Sequence, residues 1–231
     1  MLTGKRILVT SGGTQDYIDD VRVMTNISSG KLGAEIACAL IDANVSVHYL
    51  RGVNAQYPDP MRNGFYSEKI VKSAQDAYNE MEKIVPDMDA VIHCMAVSDF
   101  TFKRDTAIKC KSSDPQAFID YMARTITKNP KIISKVKEWN PKTILVGFKF
   151  EVGVSNEELI RLARNSINSN GCDLIVANDK EEMVRDKNHT AYLVFPTRDS
   201  VPLKVSGKKE IATQIMIFLM NAFSNTKYVG I

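Results

Sequence analysis

Apolar residues fall along this 231-residue chain in short blocks that switch between two periods. Residues 5–10 (KRILVT), 45–50 (VSVHYL), 90–97 (AVIHCMAV), 143–148 (TILVGF) and 173–178 (DLIVAN) are compact apolar or alternating runs. That is the pattern of strands buried on one or both faces. Between them, residues 30–41, 71–84, 130–138 and 156–168 carry apolar side chains at helical spacing. Ser28 or Ser29 and Ser155 are the expected N-caps, Pro130 the expected first-turn residue of its helix, and Gly171 a helix end. Residues 191–195 and 201–205 predict a terminal hairpin, followed by a last helix capped by Ser206 and running through Asn221. Strands alternating with helices at this spacing predict an α/β fold. It is a doubly wound, mainly parallel Rossmann-like sheet with helices on both faces and a C-terminal hairpin plus helix, in a single domain over 1–231. Residues 99–113 (DFTFKRDTAIKCKSS) lack any periodicity and predict a long, charged loop.

Composition narrows the function. The chain is 44% hydrophobic and 25% charged, with 30 Lys+Arg against 27 Asp+Glu and a net charge of +3. So small a surplus calls for neither nucleic acid nor an anionic membrane as a partner, and fits positive charge gathered at a site for a small anion. The start MLTGKRILVT has no signal-peptide layout, and no apolar run is long enough to span a bilayer. A cytoplasmic protein is expected. Cys38, Cys94, Cys110 and Cys172 form no CxxC pair, and Cys38, Cys94 and Cys172 sit in apolar runs that read as buried. With His48, His93 and His189 the only histidines, a metal cluster has little support.

In such folds ligands bind beyond the carboxyl ends of the strands. Four segments occupy that position: residues 11–33, AVSDF, GFKFE and ANDKE. In the first, Asn26-Ile27-Ser28-Ser29-Gly30-Lys31 leads into a helix N-terminus, where free N–H groups and the helix dipole attract an anion. A capped helix with no ligand explains the same residues. Arg22 and Asn26 lie four apart and would share a face on a helical turn, although a surface arginine and a turn asparagine are the simpler reading of the pair. The loop over 99–113 carries Lys103, Arg104, Lys109 and Lys111, point charges suited to a polyphosphate, or simply a solvated basic surface. His93, inside an apolar strand, reads as a core histidine. Neither a Walker A sequence nor a GxSxG elbow is present.

Taken in order, these segments resemble the phosphopantothenoylcysteine synthetases. The resemblance rests on the GGT turn with VR-x3-N-x-SSGK-x-G over 12–33, AVSDF over 96–100, a lysine motif at Lys109, KNP over 128–130, GF-x2-E over 147–151, and DLIVAND over 173–179. It covers nearly the whole chain. It implies a ligase that joins 4'-phosphopantothenate to L-cysteine in coenzyme A biosynthesis, in two steps. The acid's carboxylate attacks the α-phosphorus of CTP, or of ATP in eukaryotic forms, releasing pyrophosphate. The cysteine amine then displaces the nucleoside monophosphate from the acyl-nucleotidylate. CTP with Mg²⁺ is the expected co-substrate, with any metal ligands unassigned.

The resemblance also implies roles. Asn26 serves the second half-reaction, Arg22 orients the acid, and Lys109 forms the nucleotidylate, making these three the catalytic set. Ser28, Ser29 and Gly30 hold phosphate oxygens. His93, Cys94 and Met95 lie beneath the nucleotide, Asp99 contacts its base, and Pro130, Lys131, Ile132, Ile133 and Phe148 flank it. The loop over 99–113 becomes a flap over the intermediate. Cys110 departs from the usual isoleucine, so Lys111 competes for the lysine role. Ser166 and Asn170 stand where family members often have lysines, leaving Arg161 or Arg164 to supply charge. A homodimer is implied, with the terminal hairpin as a possible edge, and the decarboxylase of the pathway is expected as a separate chain, with no flavin site here. Two other readings share the fold. A short-chain-type NAD(P) reductase needs a Tyr-x3-Lys pair, which Tyr17, Tyr66, Tyr78 and Tyr121 all lack. A non-catalytic nucleotide-binding module would use the same helix start without turnover.

Overall fold

The computed structural model describes residues 2–58, 66–103, 110, 113–197 and 200–224. In chain order the elements are β1 (Arg6–Ser11), β2 (Gln15–Tyr17), β3 (Val23–Thr25), α1 (Lys31–Asp42), β4 (Ser46–Gly52), β5 (Tyr66–Val71), α2 (Ala74–Ile84) and β6 (Ala90–His93). There follow β7 (Phe100–Phe102), α3 (Pro115–Thr125), β8 (Ile126–Lys128), α4 (Ile132–Trp139), β9 (Ile144–Glu151) and α5 (Asn156–Asn170). The chain ends with β10 (Leu174–Asp179), α6 (Lys180–Arg185), β11 (Thr190–Val194), β12 (Leu203–Ser206) and α7 (Lys208–Phe223).

Eight strands form one sheet in the order β12-β11-β10-β9-β6-β1-β4-β5. From β5 to β10 every neighbouring pair is parallel, and β11 and β12 close one edge antiparallel. This is the doubly wound, mainly parallel α/β sheet with a C-terminal hairpin and helix that the periodicity predicts. The chain winds outward from β1 through β4 to β5, then crosses back to β6 and runs the other way. The reversal between β1 and β6 opens a crevice at their carboxyl ends.

Alternation along each strand builds two cores. Ile7 and Val9 of β1, Ile92 of β6 and Val176 of β10 face α1 and α7, meeting Ile36, Leu40, Ile211 and Leu219. Leu8, Val91, Ile175 and Ala177 point the other way and pack on Met81 of α2, Val136 of α4 and Leu159 of α5. Both faces of these strands are therefore apolar, which is why they read as near-continuous hydrophobic runs.

Several local expectations change. The helix over 71–84 begins at Ala74, because Tyr66–Val71 is a sheet strand and Ser73 forms a capping box with Asp76. Replacing Ser73 by alanine is expected to lower the denaturant midpoint by the equivalent of about 1 kcal/mol. Pro130 lies before the helix rather than in its first turn, since α4 starts at Ile132 with Lys131 as N-cap. The last helix is capped by Gly207, not Ser206, and α1 by Gly30, not by Ser28 or Ser29. The stretch read wholly as loop over 99–113 contains β7, which pairs with β8, and α3 has no counterpart in the periodic pattern. Cys172 is buried as expected, but Cys38 and Cys94 are partly exposed.

Candidate functional site

The exits of β1 and β6 are laced together at the crevice. Beyond β1 the Gly12 carbonyl accepts from Ala96 N–H at 2.7 Å, and Thr14 N–H donates back to the Ala96 carbonyl at 3.3 Å. Ser98 N–H donates to the Thr14 hydroxyl oxygen at 2.9 Å. The segment after β1 turns into the hairpin β2–β3, so Arg22 and Asn26 flank β3 and do not share a helical face. That hairpin delivers Asn26 to the β6 exit, where its side-chain amide donates to the Val97 carbonyl at 3.0 Å. Asn129, of the KNP motif, ties the other side: its backbone N–H donates to the Asp99 carbonyl at 2.9 Å and its amide to the Ser98 carbonyl at 3.0 Å. Three motifs separated by up to a hundred residues thus converge on one short loop.

The turn into α1 is dictated by two glycines. Gly30 has φ of 72°, a left-handed conformation that side chains resist, and a Cβ there would lie 2.8 Å from the Ala55 Cβ. A Cβ on Gly33 would lie 2.4 Å from the Ser11 Oγ. That hydroxyl donates to the Gly30 carbonyl at 3.1 Å. The helix start is thereby pressed onto the end of β1. No side chain of the N-cap residue closes the helix start. The Ser29 hydroxyl only reaches Lys31 N–H at 3.5 Å, leaving first-turn N–H groups and the helix dipole directed at whatever fills the space beyond.

That space is a cleft of about 440 Å³. One wall is the turn from Ile27 to Gly33, with Ser28, Ser29 and Lys31; the floor is Cys94, Met95 and Ala96 at the β6 exit. Phe148 and Phe150 of β9, Asn178 of β10, Met183 of α6, His189 and Lys208 complete it. Among the described residues two lysines and no carboxylate line it, so it suits an anion with an apolar portion against the phenylalanines. Burial pushes the Cys94 thiol up to about 12, so it stays protonated at neutral pH.

Of the residues singled out from sequence, Ser28, Ser29, Gly30, Cys94, Met95 and Phe148 line this cleft, and Asn26 stands at its rim beside Val97. His93 does not line it. It is buried, hydrogen-bonded to the Thr10 hydroxyl at 2.9 Å, and burial holds its imidazole down at about 4, neutral at ordinary pH. Asp99, Pro130, Lys131, Ile132 and Ile133 lie off the cleft, with Ile132 buried in the core under α4 and Asp99 exposed beside Asn129. Arg161 pairs with Glu158, and Arg164 donates to the Ser200 carbonyl, so neither lines the cleft. Lys109, Lys111 and Arg104 lie outside the described residues. Sequence reasoning missed Asn178 as a lining residue, although DLIVAND marked its strand. It also missed Met183, His189 and Lys208, which no motif announces. Asp179 of the same motif is a structural cap, accepting from Glu181 and Glu182 N–H of α6 and from Val154 N–H.

Arg22 and its surroundings form a separate cluster. Asp19, fully buried, accepts from the backbone N–H groups of Val21 at 2.9 Å, Arg22 at 2.7 Å and Cys110 at 3.2 Å, and pairs with the Arg22 guanidinium. Arg22 in turn donates to the Cys110 carbonyl at 3.2 Å and stacks over Phe118. Burial alone would raise the Asp19 carboxyl, but the three backbone donors and Arg22 outweigh it and hold it below the usual carboxylate range. A depressed carboxylate stabilises the fold above its unfolded value, near 4, and that contribution fades as pH falls through the lower folded value. Asp19→Asn is therefore expected to cost roughly 2 kcal/mol at pH 7, measured from urea midpoints, with the gap to wild type narrowing below about pH 4.

Comparison with known proteins gives this site its family. Residues 2–222 match the family described as the DNA/pantothenate metabolism flavoprotein C-terminal domain. Over 215 residues the chain is 36% identical to the coenzyme A biosynthesis bifunctional protein CoaBC of Thermococcus kodakarensis, covering 93% of this chain and 50% of that protein. The crystal structure of the DNA/pantothenate metabolism flavoprotein from Streptococcus pneumoniae matches with a TM-score of 0.82 at 34% identity, over 95% of this chain and all of that one. The C-terminal domain of a CoaBC protein shares the fold, with a TM-score of 0.75 at 24% identity over 97% of this chain and 98% of that one. The chain spans about half the length of the curated relatives it matches. No described helix is long and apolar enough to cross a membrane. The shared family match, the near-complete overlap and the motifs that meet at the β1–β6 crevice agree: the chain belongs to the DNA/pantothenate metabolism flavoprotein C-terminal domain family, the phosphopantothenoylcysteine synthetase part of CoaBC.

Proposed function

We propose that this chain condenses 4'-phosphopantothenate with L-cysteine through an acyl-nucleotidylate, using CTP in preference to ATP, in the cytoplasm. The observation that carries this reading is the meeting of Asn26, the GGT turn and the Ala96–Ser98 loop at one edge of an anion-suited cleft. An acid whose carboxylate sits at this rim is held for in-line attack on the α-phosphorus. The carboxylate oxygen forms the new O–P bond as the bond to pyrophosphate breaks. The amine of cysteine then attacks the acyl carbon, loses a proton, and expels the nucleoside monophosphate with its electron pair.

Lys109 neutralises charge on the phosphates in the first step, Arg22 orients the acid, and Asn26 polarises the acyl carbonyl in the second. Mg²⁺, bound to the triphosphate, would offset its charge alongside Lys109. A homodimer fits the surface: Tyr17, Val21 and Val23 on the β2–β3 hairpin and Phe100 and Ile126 on β7–β8 are exposed apolar side chains on neighbouring elements.

The test is a pyrophosphate-release assay with the acid, cysteine, Mg²⁺ and either nucleotide, run side by side. Release with CTP, and a bound acyl-nucleotidylate when cysteine is withheld, is the expected result. Nucleotide binding without release, or hydride transfer from a nicotinamide, would replace this reading by one of its rivals.

A further inference from the structure

Part of the cleft lining comes from elements that carry none of the recognised motifs. His189 precedes β11 and Lys208 opens α7, and both line the cleft along with the turn from Ile27 to Gly33. Gly207 N–H donates to the His189 carbonyl at 3.0 Å, which pins the start of the helix beside the histidine. Gly207 is the N-cap, with φ of 98° and no side chain closing the first turn of this 16-residue helix. The His189 Nε2 atom is buried and has no hydrogen-bond partner among the described residues. Lys208 makes no ion pair among the described residues, and no carboxylate lines the cleft around it.

A buried ring nitrogen without a partner is costly, and native proteins keep such atoms where a ligand supplies the missing contact. Here a histidine with an unpartnered ring nitrogen and a lysine that opens an uncapped helix both line the cleft, and these groups favour a compact oxyanion. Desolvation, and then the charge of Lys208, hold the imidazole down at about 4. The ring is therefore neutral at pH 7, and offers one N–H in its Nε2-protonated tautomer.

We propose that His189, Lys208 and the first-turn N–H groups of α7 hold a substrate phosphate group in this cleft. The inference rests on the ligase reading above for the identity of the substrates. Both of them carry such a group, the acid as a phosphate monoester and the nucleotide as its triphosphate.

The experiment compares Lys208→Met, His189→Leu, His189→Gln and the exposed control Lys209→Met with wild type. Lys208→Met and His189→Leu are expected to raise KM about tenfold for one substrate, with kcat within about twofold. His189→Gln, which restores an N–H, recovers most of the loss, and Lys209→Met changes neither constant. A rise confined to the acid, and absent when unphosphorylated pantothenate is the acid substrate, identifies the monoester. A rise confined to the nucleotide identifies the triphosphate. Unchanged KM for both substrates in an active enzyme overturns the inference, as does an equal effect from Lys209→Met.

If wild type releases no pyrophosphate, the ligase reading fails on its own. The anion site is then read by calorimetry with inorganic phosphate and pyrophosphate as probes. Binding about tenfold weaker in Lys208→Met upholds the site, and equal binding removes it.

Discussion

Lys109→Gln is expected to suppress formation of the acyl-nucleotidylate by about 10³-fold, the size of effect seen when a preorganised charge on a reacting oxyanion is removed. Glutamine keeps most of the side-chain length and loses the charge. The carboxylate and the triphosphate then meet with their repulsion uncompensated. The measurement is single-turnover pyrophosphate release with cysteine withheld, which isolates the first step. Cys110, the next residue, is tied through its N–H to Asp19 and through its carbonyl to Arg22. A near-normal first turnover in Lys109→Gln would pass the role to Lys111, which the replacement of the usual isoleucine by Cys110 already brings into competition.

Asn26→Asp should act on the other half of the reaction. The amide now donates to the Val97 carbonyl at 3.0 Å from the rim of the cleft. An aspartate there cannot donate, sets a negative charge against that carbonyl, and opposes the oxyanion that develops as the amine attacks. The expected result is an intact first step and an amide-forming step slower by about 10²-fold, so that the acyl-nucleotidylate accumulates on the enzyme with cysteine present. Rapid quench followed by mass measurement of the bound species detects it. Equal steady-state levels of intermediate in variant and wild type would remove Asn26 from the second step.

The two predictions differ in how far each was legible. The Asn26 position in a glycine-bounded string pointed to a functional turn, while the helical face it would share with Arg22 on a helical turn does not form, because a tight hairpin intervenes. Spacing of four residues carries meaning only when the backbone is helical, and β2 and β3 are too short to show a period of their own. Ser155 caps α5 as its sequence predicts, accepting from Glu158 N–H at 3.2 Å, but the serine expected to cap α1 does not. Serines before a helix are a sound local signal, yet the packing of Gly30 on Ala55 and Ser11 requires a left-handed residue at the cap. Similarly, Phe100–Phe102 became a strand only because Ile126–Lys128 is brought alongside it.

By itself the sequence determined the layered architecture. Continuous apolar runs such as AVIHCMAV need cover on both faces, and helices at 3.6-residue spacing are what the intervening segments can supply. It also determined the strand-exit motifs, because glycines and capping serines act within a few residues of themselves. Only the tertiary structure decided which of those motifs meet. Asn26, Ala96, Ser98 and Asn129 become neighbours through the β1–β6 crossover, and His189 and Lys208 reach the cleft through the C-terminal hairpin. Contacts between residues so distant in sequence depend on where whole elements dock, and no local pattern of side chains encodes that distance.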